Sequence, residues 1–197
     1  MALALKQFLE SSDFLQTIVA ETEQNSDDAR GLAAGLSATQ LSWTSSPDSW
    51  SIAQCLDHLT TATKAFGPFF TTAIERGHRK YAASSAVAYH ASWVGGWLIK
   101  QVAPEARRKL TAPKVLRPSQ SPASENVLEK FLQQQAEFLR FVRQAKGIDY
   151  NKTRLRSPVT PLMRYSLADA FVVVVVHEQR HLAQARRLRE TSGFPTN

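Results

Sequence analysis

An all-α fold, an up-down-up-down four-helix bundle, is predicted by three observations. Four stretches repeat apolar residues at three- and four-residue spacing. Two of them open on helix-capping signatures, and the one run with strand propensity, Phe171–Val176, passes into a strongly helical segment with no turn signal between. With 197 residues, 43% of them hydrophobic and 21% charged, the chain suits one domain over 1–197. At that size about 70% of the surface is buried on folding, so the core needs no disulfide or structural zinc. Cys55 is the only cysteine, which excludes an intrachain bridge, a redox CxxC pair and a cysteine-rich metal knuckle.

The first helix is expected over 5–34, from Leu5, Phe8, Leu9, Leu15, Ile18 and Val19. Ser37 and Gln40 form a capping box for a short turn that the Ser45–Ser49 segment ends at once. The second helix, 51–76, begins at the Ser51 N-cap with Gln54 at N3 and Trp50 placed to staple onto Cys55. Ile52, Leu56, Leu59, Ala62 and Phe66 line its inner face, and Gly67-Pro68 is expected to kink or briefly interrupt it. Residues 77–121 form a long, partly structured connection between helices two and three, with Val94–Ile99 readable as strand or helix and Pro104, Pro113 and Pro118 breaking continuity. The third helix is expected over 122–146, with Ser121 capping, Pro122 at N1 and Gly147 terminating. The fourth is expected over 162–190, with Ser166 and Asp169 as a capping box and a buried valine-rich half.

The net charge of +7 is unevenly spread: residues 1–60 carry two basic and eight acidic side chains, leaving 22 basic against nine acidic in the remainder. Basic clusters stand at Arg107–Lys109, Lys152–Arg156 and Arg186–Arg189. Solvated basic faces account for them, because no zinc finger, RNP-like aromatic pair or glycine-rich KH loop accompanies the charge. The amino terminus lacks the layout of a signal peptide, and the longest apolar run, Ala170–Val176, is far too short to span a bilayer. The expected setting is a reducing cytoplasm, with no membrane and no nucleic acid among the partners.

Chemistry concentrates at the histidines. His177 and His181 are four residues apart on one helix and share a face. His58, set among apolar and small residues of the second helix, is the natural third ligand, since facing helices of a bundle bring imidazoles together in its core. His177–His181 also satisfies H-E-x-x-H, the zinc-protease signature, but no histidine follows it and only Glu190 could serve as a downstream acid. Glu178 and Asp57 are candidate acceptors for a histidine ring proton, or else solvent-facing helix residues. His78 and His90 fall in or beside the connection, Cys55 reads as a small buried hydrophobe, and Trp93 with Trp97 reads as pocket wall or core.

Leu36–Trp43, Trp50–Leu59 and the closing Leu167–Gln184 stretch with His177-Glu178-Gln179-Arg180-His181-Leu182-Ala183-Gln184 resemble the DinB/YfiT-like superfamily, in particular its DinB_2-type members. The resemblance implies a four-helix bundle whose His58, His177 and His181 hold one divalent ion, nickel, zinc, iron or manganese. Family activities include thiol-dependent transfer and isomerisation, so it further implies a metal-dependent enzyme, a thiol S-transferase acting on a small electrophile, with Arg180 drawing in the carboxylates of a low-molecular-weight thiol. A metal-dependent hydrolase using the same ligands and a non-catalytic metal- or ligand-binding helical protein are the alternatives. A small-molecule substrate and a second copy of the chain are the expected partners.

Overall fold

Serine side chains accepting from exposed helical amides set most helix starts in this chain. The computed structural model describes residues 3–106, 112–119, 124–160 and 162–196. Among these, seven α-helices and one two-stranded sheet form: α1 Leu3–Leu9, α2 Phe14–Ala33, α3 Ala38–Ser42, α4 Ile52–Lys80, α5 Trp93–Val102, α6 Val127–Gln144 and α7 Leu167–Arg189, with β1 Arg154–Arg156 antiparallel to β2 Arg164–Ser166. Capping boxes of the expected kind start α3 (Ser37, Gln40), α4 (Ser51, Gln54) and α7 (Ser166, Asp169).

Several expected boundaries shift. The first helix divides in two, because Ser11 and Asp13 bond local backbone and Asp13 recaps the chain, accepting from Gln16 N at 3.1 Å. Pro68 does not break α4: it lies on the exposed side, where water reaches the carbonyl it deprives, while Phe66 and Phe70 stack at 5.3 Å on the inner side. The fourth helix starts at Leu167 and not at 162, since residues 164–166 pair with β1 before the cap. Its valines are helical despite strand propensity. Leu167–Val176 is buried all round by α2, α4 and α5, and burial outweighs the small propensity deficit of β-branched residues. Ser121 and Pro122, with the Arg107–Lys109 cluster, lie outside the described residues.

The long helices pack in a ring, α2 on α7, α7 on α4, α4 on α6 and α6 on α2. Two apolar clusters fill it. One holds Ile18, Phe70, Phe138 and Val172–Val176, the other Leu32, Ile52, Leu56, Leu59, Phe131 and Leu182. Helices α2 and α7 run from the first cluster to the second, and α4 and α6 run back, so the order is up-down-down-up rather than up-down-up-down. Two successive helices in the same sense require the chain to return along the bundle between them. That is why the connection after α4 is long, and its described residues include α5 and a short 3₁₀ turn at Lys114–Leu116. Among the described residues no helix is long and apolar enough to cross a membrane.

A buried polar layer separates the two clusters. Thr22, Asn25 and Ser26 of α2, Thr63 of α4, Gln135 of α6 and Glu178 of α7 are each at most 7% exposed. The valine-rich start of α7 is tied to the connection through Asp169, fully buried, which accepts from Tyr89 Oη, Ser92 N, Ser92 Oγ and Ser166 N. Helix α5 approaches so closely that a Cβ on Gly95 would stand 2.0 Å from Asp169 Cγ.

Candidate metal centre

On the second-cluster side of the polar layer, α4 and α7 bring three imidazoles together. One ring nitrogen from each of His58, His177 and His181 lies within 4.8 Å of the others. His58 Nε2 and His177 Nε2 are 3.2 Å apart, a spacing two nitrogens adopt when each lies ~2.1 Å from a common ion. The one-turn spacing of His177 and His181 and the buried stripe of α4 that holds His58 produce this convergence.

The outward nitrogens of His58 and His181 are committed. His58 Nδ1 lies 2.6 Å from the Leu116 carbonyl, which can only accept, so Nδ1 bears the proton and Nε2 presents a lone pair. His181 Nδ1 is likewise 3.0 Å from Gln184 Oε1. Burial keeps all three rings neutral, their pKa values falling below the ordinary histidine range chiefly through desolvation. His181 is pushed down to about 3 by burial and by the neighbouring His58. His177 drops well below its usual value through burial and then His181, His58 and Arg180. For His58 the Leu116 hydrogen bond and the charge of Asp57 partly oppose desolvation. Three neutral imidazoles, of which His58 and His181 turn their lone pairs inward, fit a borderline divalent ion such as zinc or nickel.

Trp50 walls the site, its ring 4.8 Å from His58 and 5.5 Å from His181 between centroids. Its position before the α4 cap reads from sequence as a staple onto Cys55, a role that hides this contact. Leu116 and Gln184 are the other participants that sequence reading misses. Gln184 carries a signal, three residues beyond His181 on the same helix, whereas Leu116 has none.

Glu178 is fully buried and turned into the polar layer, accepting from Asn25 Nδ2 at 3.0 Å, Gln135 Nε2 at 3.0 Å and Thr63 Oγ1 at 3.2 Å. None of these partners is an imidazole. Burial raises its pKa to about 7 against the pull of the three donors. Asp57 accepts from Ser119 N at 2.8 Å and so clips the connection onto α4. Arg180 Nη1 donates to the Ala103 and Ala106 carbonyls at 2.8 and 3.2 Å. His78 bonds the Gln144 carbonyl twenty residues, about 30 Å of helix, from His58, and the exposed His90 is held to Asn151 through its amide. Neither joins the triad. Buried Cys55 has its thiol pushed up to about 12 by desolvation, as an inert hydrophobe. Trp93 and Trp97 are neither core nor wall of this site but exposed on α5.

A family model described as the DinB superfamily matches residues 21–185, a span that contains all three histidines. No curated protein and no solved structure matches the chain.

Proposed function

The chain belongs to the DinB superfamily, and from that premise we propose that it is a divalent-metal-dependent enzyme that transfers a low-molecular-weight thiol onto a small electrophile. His58, His177 and His181 would hold the ion. The observation that carries this reading is the convergence of three neutral imidazoles whose His58 and His181 lone pairs are turned inward by hydrogen bonds on the opposite nitrogens. A divalent ion bound there supplies Lewis acidity, lowering the pKa of a thiol or water brought against it.

The chain's own groups favour thiol over water as the nucleophile. Hydrolysis is helped by a carboxylate aimed at the attacking water, and Glu178, the acid of the H-E-x-x-H sequence, instead faces Asn25, Gln135 and Thr63. Thiol transfer requires no such base once the sulfur is ionised. Arg180 contributes positive potential, which already depresses the pKa of His177 and His181 and would draw in an anionic thiol. Trp50 and Leu116 flank the triad.

The test is a panel of small electrophiles assayed with and without low-molecular-weight thiols, using protein loaded with zinc, nickel, iron or manganese. Turnover that requires both thiol and metal and is lost in His177→Ala supports the proposal. Metal-dependent ester or amide cleavage without thiol would replace it with a hydrolase, and metal-dependent ligand binding without turnover would replace it with a binding protein.

A further inference from the structure

Helix α5 and the hairpin between β1 and β2 form an apolar face that the bundle leaves uncovered. Trp93 is 87% exposed and Leu162 is 93% exposed, with Trp97 at 49%. These are large apolar side chains left in water against the hydrophobic effect, grouped on one face. The two tryptophans form a ridge between two shallow apolar grooves of about 400 Å³ each, one shared with Leu5 and Leu9 of α1, the other with Leu162 and Met163 of the hairpin.

The rim of this face is basic. Lys100, Arg154, Arg156 and Arg164 stand in residues 81–104 and 150–168, which hold no aspartate or glutamate, while Lys152 is paired with Asp149 at 3.3 Å. Lys100 lines the first groove. Arg164 follows Met163 directly and stands opposite Arg156 across the strand pair, both side chains exposed. Like charges directly opposed on a two-stranded ribbon repel and weaken it, and an anionic surface relieves that repulsion.

We propose that this face docks on an anionic lipid bilayer, with Trp93, Trp97 and Leu162 entering the interfacial region and Lys100, Arg156 and Arg164 contacting lipid headgroups. Exposed tryptophan beside aliphatic residues suits the boundary between headgroups and acyl chains, and basic residues near an anionic leaflet add attraction that salt weakens. The span length that sets membranes aside in the sequence bears on crossing a bilayer, not on resting against one. The charge also disfavours pairing of this face with itself, since a second copy would bring the arginines together. Trp93 and Trp97 could also stack nucleic-acid bases, but half of the face is aliphatic, Leu162 and Met163 beside Leu5 and Leu9, which suits acyl chains.

Sedimentation of the full-length protein with vesicles of equimolar phosphatidylcholine and phosphatidylglycerol, against pure phosphatidylcholine, tests this, with tryptophan emission followed in parallel. Binding to the anionic vesicles with a blue shift is expected. Trp93→Ala combined with Leu162→Ala should weaken partition by at least about tenfold, and Arg156→Gln combined with Arg164→Gln by about 25-fold. All four side chains are exposed, so the Trp93/Leu162 variant should melt with the wild type, and the Arg156/Arg164 variant, relieved of the opposed charges, should melt no lower than it. Absence of binding, or binding that the Trp93/Leu162 pair does not change, overturns the proposal. So does tryptophan quenching by a single-stranded oligonucleotide that displaces the vesicles' effect, or concentration-dependent dimerisation that the same pair abolishes.

Discussion

His58 Nε2 stands 3.2 Å from His177 Nε2, across the packed faces of α4 and α7, joining residues 119 positions apart. With the His58 proton fixed on Nδ1 by Leu116, His58 Nε2 can only accept, and in the metal-free protein His177 Nε2–H donates to it. A divalent ion would displace that proton and replace the hydrogen bond with two coordinate bonds.

The three depressed histidines make stability of the metal-free protein pH-dependent. The unfolded chain takes up protons as pH falls below 6.5, whereas His181 in the fold stays neutral until about 3. Their contribution is therefore present above pH 6.5 and is lost progressively as pH falls toward 3. Glu178 has the opposite sign: raised from 4.5 to about 7, it contributes fully below pH 4.5 and loses that contribution as pH rises through about 7. Urea midpoints of metal-free wild type should fall below pH 6.5 more steeply than those of a variant with all three histidines replaced by asparagine. Parallel profiles would show that the rings are not held neutral.

Glu178→Gln separates the polar layer from the metal centre. Glu178 Oε2 accepts from two amide groups and Oε1 from the Thr63 hydroxyl, so an amide in its place keeps these partners only by turning its Nε2 to Thr63 Oγ1 and exchanging charge-assisted bonds for weaker neutral ones. The expected loss is about 1 to 3 kcal/mol by urea denaturation. Metal affinity should change by less than the roughly tenfold that marks loss of a direct ring partner. A larger affinity loss with unchanged stability would tie the carboxylate to a histidine.

Much of this arrangement is legible in the sequence, and the failures are physical. Capping boxes at Ser37, Ser51 and Ser166 are local chemistry and read directly. The spacing of His177 and His181 fixes a shared face, and the apolar setting of His58 on the second helix marks it as the third ligand, which the resemblance repeats. Helix direction is not local: nothing in the sequence between Tyr81 and Asn126 states that α6 runs in the same sense as α4, which only the two apolar clusters reveal. The inward turn of Glu178 depends on Asn25, Thr63 and Gln135 from three other helices. Leu116 acts through its backbone carbonyl, an atom every residue carries.

Gly95 and Asp169 supply a third test, on the clamp between α5 and α7. Gly95→Ala would drive a methyl into the Asp169 carboxylate and should destabilise by about 1 to 3 kcal/mol. Asp169→Ala leaves Tyr89, Ser92 and Ser166 donors unpaired and should cost about 3 kcal/mol or more. Because both act on one contact, the double variant should cost less than their sum. Full additivity in denaturant titrations would mean that the two residues do not share it.

Isothermal titration of metal-free protein with zinc and nickel, for wild type and for His58→Ala, His177→Ala, His181→Ala and His78→Ala, bears most directly on the proposed centre. One equivalent should bind to wild type and to His78→Ala with equal affinity, and each of the other three substitutions should weaken binding by more than about 100-fold. Saturating metal should also raise the melting temperature of wild type but not of the three triad variants. Wild-type affinity retained after loss of His58, His177 or His181 would contradict a centre built on these three imidazoles.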